Sequence, residues 1–212
     1  MLSFQEFFDA CAGTWTTERT YHYVQQGEVE RSYTEFKVDA LTETEKQHIL
    51  IPSDESAGGE FQIDTAKMAE QETCPGFAIA FDTVSEKGEQ VSMSLKALFV
   101  PDAYMIRQAP TEMLLPLAAQ IPVQSNGDII QGFYLRDKGY SEAGTIAGRF
   151  TYQTTRQTLE MTTHYQRSVG VDQMRFLSPT TRLRTIVTYQ RPQPGEVPSI
   201  MTLIGFGVEH KQ

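Results

Sequence analysis

The chain has 212 residues, 40% of them hydrophobic and 10% aromatic. That is enough for one domain, residues 1–212, burying roughly 70% of its unfolded surface without disulfides or metal. Its 18 basic and 27 acidic residues leave a net charge of −9, which argues against nucleic acid or an anionic membrane as partner, because both repel an acidic protein.

The N-terminus reads as a short helix. Ser3 and Glu6 form the S-x-x-E capping pattern, Phe4, Phe7, Phe8 and Cys11 recur at helical spacing, and Gly13 is placed to end the helix in a left-handed conformation. From Trp15 the period becomes two. Trp15, Thr17, Arg19, Tyr21 and Tyr23 share one parity, and Thr16, Glu18, Thr20, His22 and Val24 the other, so a strand follows. Further strands are predicted near Arg31–Leu41, His48–Ile51, Glu60–Asp64, Phe77–Asp82, Gln90–Val100, Tyr104–Gln108, Asp128–Asp137, Thr145–Thr154, Thr158–Arg167, Gln173–Leu177, Thr181–Gln190 and Ser199–Glu209. One helical turn is expected within Gln108–Ile121, limited by Pro110 and Pro116. Turn chemistry separates the strands at Gly58-Gly59, Pro75-Gly76, Asn126-Gly127 and Pro192–Pro198.

This order predicts an all-β, antiparallel sandwich or closed barrel. A helix, then Gly13-Thr14-Trp15 opening the first strand, resembles the calycin (lipocalin and fatty-acid-binding-protein-like) barrels, which close a sheet around a ligand cavity.

Cys11 and Cys74 form no C-x-x-C pair and imply no disulfide framework. Cys11, within the apolar helical pattern, reads as a buried structural cysteine, with a reactive thiol as the alternative. No basic run precedes an apolar stretch at the N-terminus, and no apolar run approaches about 20 residues, so neither a secretory signal nor a membrane span is expected. A soluble cytoplasmic or stromal protein is the expectation.

The strongest local constellation is Arg182-Leu183-Arg184-Thr185. In a strand, Arg182 and Arg184 point to one face with Ile186, while Leu183, Thr185, Val187 and Tyr189 form the other. Inside a barrel, two guanidiniums are costly unless an anion satisfies them, and a ligand with carboxylate arms would do so by bidentate pairing. The alternative is a surface pair on the barrel exterior. Arg19 shares the parity of Trp15 and would add a third cation if Trp15 closes the barrel floor; otherwise it stacks on a neighbouring aromatic. Asp172 precedes the apolar run Met174–Leu177 and is either a carboxylate at the cavity mouth, able to accept N–H groups of a ligand, or a plain turn residue. His22 faces away from Arg19. His48, His164 and His210 are scattered, and no metal-ligand spacing, G-x-S-x-G or Gly-rich phosphate loop occurs. The residues point to a binding cavity rather than a catalytic engine.

Four blocks carry a family resemblance. Trp15-x-x-x-Arg19-Thr20-x-His22 resembles the W-x-x-x-R-T-x-H that opens the S-type (CpcS/CpeS) phycobiliprotein lyases. Arg136-Asp137-x-Gly139-Tyr140-x-Glu142 is similar to their R-D-x-G-Y-x-E. Gly148-Arg149-Phe150 followed by Leu159-x-Met161-x-Thr163-x-Tyr165 is similar to their G-x-Y and L-x-L-x-T-x-Y. Arg182-Leu183-Arg184-Thr185 is similar to their R-L-R-T. The blocks keep the family order.

The resemblance implies a ten-stranded calycin barrel that binds phycocyanobilin or a related bilin, as substrate and not as cofactor. It implies transfer of that open-chain tetrapyrrole to a cysteine of an apo-phycobiliprotein subunit, in a cyanobacterial cytoplasm or a plastid stroma. A homodimer, or a heterodimer with a related lyase subunit, is a further implied partnership. Arg19, Arg182 and Arg184 fall on the family's pocket-lining arginines, and Asp172 falls on its pocket glutamate, shorter by one methylene. The family's E-R-I-W-F reads Asp172-Gln173-Met174-Arg175-Phe176 here and loses the tryptophan; a further expected aromatic falls at Phe61 or Ile63. The rival reading from another class is a carrier of fatty acid or another apolar carboxylate, without transfer.

Overall fold

The computed structural model describes residues 1–56, 62–67, 74–107, 114–120, 128–137 and 146–212, with the backbone alone for 51–56, 62 and 107. Helix α1 (Phe4–Cys11) begins as the sequence predicts: the Ser3 amide donates to Glu6 Oε2 at 2.7 Å, and the Glu6 amide donates to Ser3 Oγ at 3.3 Å. This reciprocal cap satisfies two amides that a helix start leaves without partners. The helix ends differently from expectation. Its C-cap is Ala12 in extended conformation, and Gly13, with φ +124°, already opens the first strand. A Cβ at Gly13 would lie 2.7 Å from Lys211 Cε, so a larger residue would push Lys211 off the helix end, where its ammonium donates to the Ala10 carbonyl at 3.2 Å.

Ten strands close into a barrel: β1 (Gly13–Tyr23), β2 (Glu28–Ala40), β4 (Gly76–Ser85), β5 (Gln90–Pro101), β7 (Ile129–Arg136), β8 (Ile146–Gln153), β9 (Thr158–His164), β10 (Ser168–Ser178), β11 (Thr181–Gln190) and β12 (Met201–Lys211). Neighbours pair antiparallel in near-sequential order, and β12 returns to β1 to complete the ring. The fold is therefore antiparallel all-β, as the alternating pattern predicts, and of the sandwich and the closed barrel which that pattern leaves open it is the barrel that the calycin resemblance implies. Closure removes the free strand edges that would otherwise template aggregation.

The aromatic face of α1 plugs one end of the ring. Phe8 lies 4.7 Å from Phe99, and Phe7 lies 5.0 Å from Tyr152 and 5.1 Å from Phe176, centroid to centroid. Trp15, fully buried, donates its indole N–H to the Cys11 carbonyl at 2.8 Å and ties the floor to the helix. Each buried phenylalanine contributes roughly 1.5–3 kcal/mol by area removed from water.

One predicted element is corrected. The stretch His48–Ile51 is not a strand but part of helix α2 (Glu43–Ser56). Thr42 and Glu45 form a second T-x-x-E cap, the Thr42 amide donating to Glu45 Oε2 at 2.8 Å, and that cap overrides the β-branched character of the stretch. Ile49 then packs outside the barrel on Leu98, Val100 and Leu135. The expected strands Glu60–Asp64 and Tyr104–Gln108 appear, where described, as β3 (Gln62–Ile63) and β6 (Met105–Arg107), a two-stranded ribbon apart from the barrel wall. The helical turn within Gln108–Ile121 is seen as a 3₁₀ turn at Leu117–Ala119. Gly58-Gly59, Phe61, Asn126-Gly127, Gly139, Tyr140 and Glu142 lie outside the described residues.

Candidate functional site

The barrel encloses a cavity of about 500 Å³ that runs from Cys11 of α1 to Thr83, Val91 and Thr188. Most of its wall is apolar, including Phe36, Phe77, Phe81, Met93, Met161 and Ile186. Charge is concentrated on one side, where β1, β10, β11 and β12 run side by side.

Arg182 and Arg184 project inward from β11 together with Ile186, as their shared parity predicts; the exterior alternative is excluded. Arg19 joins them from β1. Asp172 is neither at the mouth nor a turn residue. Strand β10 begins at Ser168, four residues before it, so Asp172 lies within the sheet and aims into the cavity. It is the direct partner of Arg184, which donates Nε–H to Oδ1 at 2.9 Å and Nη2–H to Oδ2. This bidentate pairing fixes both side chains.

The sequence reading missed Glu209. It sits on β12 directly opposite Arg182, with no solvent exposure. Arg182 donates Nε–H to its Oε2, Arg19 donates Nη2–H to its Oε1 at 3.1 Å, and Arg184 Nη1 stands 4.0 Å from the same oxygen. Burial raises the Glu209 carboxyl, but the guanidiniums of Arg182, Arg184 and Arg19 outweigh it and hold it at about 2. Arg182 is itself 2% exposed, its guanidinium 4.4 Å over the Trp15 ring and 5.5 Å from that of Phe36. Arg182 also donates to Cys11 Sγ at 3.1 Å. Burial pushes the Cys11 thiol up, against the pull of Arg182, so it stays a neutral buried thiol.

The three arginines thus differ. Arg182 is locked into the floor between an aromatic face and a carboxylate. Arg19 and Arg184 border the open volume; Arg19 Nε is buried without a hydrogen-bond partner among the described residues, and Arg184 Nη1 lies 3.6 Å from Met174 Sδ. Further along the cavity, Arg136 donates to Tyr165 Oη at 3.0 Å, and both line the wall. His22 faces outward and stacks on Phe206 at 6.0 Å. Among the described residues no cluster of three or more His, Cys, Asp or Glu side chains is arranged for a metal ion, and no helix is long and apolar enough to cross a membrane.

This arrangement suits an elongated, largely apolar ligand bearing acid groups. Its carboxylates would meet Arg19 and Arg184, and hydrogen-bond donors on its body would meet Asp172, whose oxygens each keep a lone pair beyond the arginine contact.

A family model described as "CpeS-like protein" matches residues 3–109 and 116–211. A chromophore lyase CpcS/CpeS 1 of Synechococcus sp. (strain JA-3-3Ab) is 39% identical over 211 residues, spanning 100% of this chain and 97% of the relative. A chromophore lyase CpcS/CpeS of Thermosynechococcus vestitus (strain NIES-2133 / IAM M-273 / BP-1) is 22% identical over 186 residues, 88% of this chain and 84% of its own. Among solved structures, the S-type phycobiliprotein lyase CpeS from Guillardia theta superposes with a TM-score of 0.62 at 15% identity, covering 100% of this chain and 93% of that one. That last likeness is one of fold.

Proposed function

Because the chain belongs to the CpeS-like family of chromophore lyases, we propose that it binds an open-chain tetrapyrrole in its barrel cavity and attaches it to a cysteine of an apo-phycobiliprotein subunit. Phycocyanobilin or a close relative is the ligand on this reading, and the cyanobacterial cytoplasm or plastid stroma the place of action. One observation carries it: three guanidiniums and a carboxylate gathered on one wall of a largely apolar cavity.

The bilin's propionates or lactam oxygens pair with Arg19 and Arg184, while its conjugated body fills the apolar volume. Asp172 accepts pyrrole N–H groups and favours the protonated, more electrophilic bilin. The acceptor thiol then adds across the exocyclic double bond of ring A. Sulfur bonds to the outer carbon, a proton ends on the ring carbon, and nothing leaves. The nucleophile belongs to the acceptor protein, so this chain contributes orientation and proton control.

The test is to add phycocyanobilin and then an apo-phycobiliprotein. The expected product is a coloured adduct on the acceptor that survives denaturation. Colour held by the barrel but never transferred would replace this reading with that of a carrier for apolar carboxylates. Asp172→Asn is expected to fold normally, shift the absorption of the bound bilin and slow transfer at least tenfold. An unchanged spectrum and rate would remove Asp172 from the mechanism.

A further inference from the structure

Glu209 has a place in this site that charge neutralisation alone does not explain. Strand β12 reads Gly205-Phe206-Gly207-Val208-Glu209, and its inward positions are Gly205, Gly207 and Glu209. The two glycines leave a lane without side chains beside the carboxylate. A Cβ at Gly207 would stand 3.0 Å from Arg19 Cγ and 2.8 Å from the Glu18 carbonyl oxygen; a Cβ at Gly205 would stand 2.8 Å from the Tyr21 ring. Arg19, opposite Gly207 in the register, leans across that lane to reach Glu209. Arg184, opposite Gly207 from the other side, brings Nη1 to within 4.0 Å of the same oxygen. A single buried carboxylate therefore ties together arginines from β1 and β11 across an intervening strand.

We propose that Glu209 is a positioning residue for the bilin: it fixes the direction in which Arg19 presents its guanidinium edge to the ligand, beside Arg184 held by Asp172, and leaves Arg182 as a structural pin. Glu209 itself is absent from the cavity wall and has no exposed surface. The inference rests on the reading that the bilin's acid groups meet the arginines. Within the cluster, Glu209 and Asp172 offset two of the three guanidinium charges, so one net positive charge remains among the described residues. Orientation and charge then predict opposite outcomes when Glu209 is neutralised. Removing the carboxylate raises the cluster's charge, so attraction by charge alone would strengthen the grip on a ligand acid. Loss of orientation weakens it, because a bidentate contact depends on the guanidinium plane.

The experiment titrates phycocyanobilin and its dimethyl ester against the wild-type chain, Glu209→Gln, and the double variant Arg182→Met/Glu209→Gln, following absorption, with far-ultraviolet circular dichroism to verify folding. The wild type is expected to prefer the free acid over the diester at least tenfold. Absence of that preference would sink the propionate–arginine reading itself, independently of Glu209. Glu209→Gln is expected to lose the preference to within threefold while diester affinity changes less than twofold. The double variant removes both halves of the buried pair, a change that buried pairs tolerate well, and restores the cluster's net charge. It too is expected to lack the preference. A preference kept or increased in either variant overturns the proposal. If Glu209→Gln does not fold, the double variant decides the question by the same measure.

Discussion

Two arginine–carboxylate assemblies, one inside the barrel and one outside, use the same chemistry to different ends. Inside, Arg182 stacks on Trp15 at 4.4 Å and pairs with Glu209, the two side chains 2% and 0% exposed. Outside, Arg149 stacks on Phe133 at 4.3 Å and grips Asp102 with two bonds of 2.7 Å, the side chains 23% and 30% exposed. The outer pair clips the 3₁₀ turn at Asp102–Tyr104 to the barrel wall, where water screens it. The inner pair has no water to fall back on, so each member depends on the other. Geometry alone does not distinguish them; burial does.

The sharpest way to break this comparison is to remove one partner from each pair. Arg182→Met leaves Glu209 buried with reduced compensation and is expected to cost about 3–5 kcal/mol in urea unfolding, with a clear fall in Tm. A cost below about 1 kcal/mol would mean that the inner pair behaves like a surface one. Acid titration is the next largest effect. The Glu209 carboxyl sits at about 2 in the folded chain, against 4.5 for an ordinary side chain. Its contribution is therefore complete above about pH 4.5 and is lost as the pH falls through about 2. The loss is about 3 kcal/mol, measured as stability against pH, and is flattened in Glu209→Gln. The smallest effect belongs outside: Asp102→Asn is expected to cost under about 1 kcal/mol. A larger loss there would show that the clip governs folding of the satellite turn and not merely its position.

The two assemblies also differ in how legibly the sequence announces them. Arg182 and Arg184 are readable because strand parity places both on one face, and an arginine pair in an acidic chain demands a partner. Their partner on β12 is not readable, because there the pattern is inverted. Phe206 and Val208 point outward, 52% and 41% exposed, while Gly205, Gly207 and Glu209 point inward. Hydrophobic alternation thus marks the wrong face, and the only usable signal is the G-x-G-x-E run itself. For Asp172 the sequence points to the right cavity but the wrong setting, since Ser168-Val169-Gly170-Val171 extends the strand past the point where turn chemistry suggests a start. The antiparallel all-β class is legible from alternation and turns, and the choice of barrel over sandwich from the helix and Gly13-Thr14-Trp15 that open the first strand. Helix α2 is not, because its T-x-x-E cap at Thr42 hides beneath an apolar His48–Ile51 stretch.

Strand β12 completes the ring against β1, and Arg19 meets Glu209 from 190 positions away in the chain. Loop closure over that span precedes any reward from the contact, which puts maturation of the charged wall among the slow, late events of folding. A nascent chain still lacking its last strand has neither the carboxylate nor the lane of glycines. The charged wall is thus the part of the barrel whose completion waits on the last strand to pair.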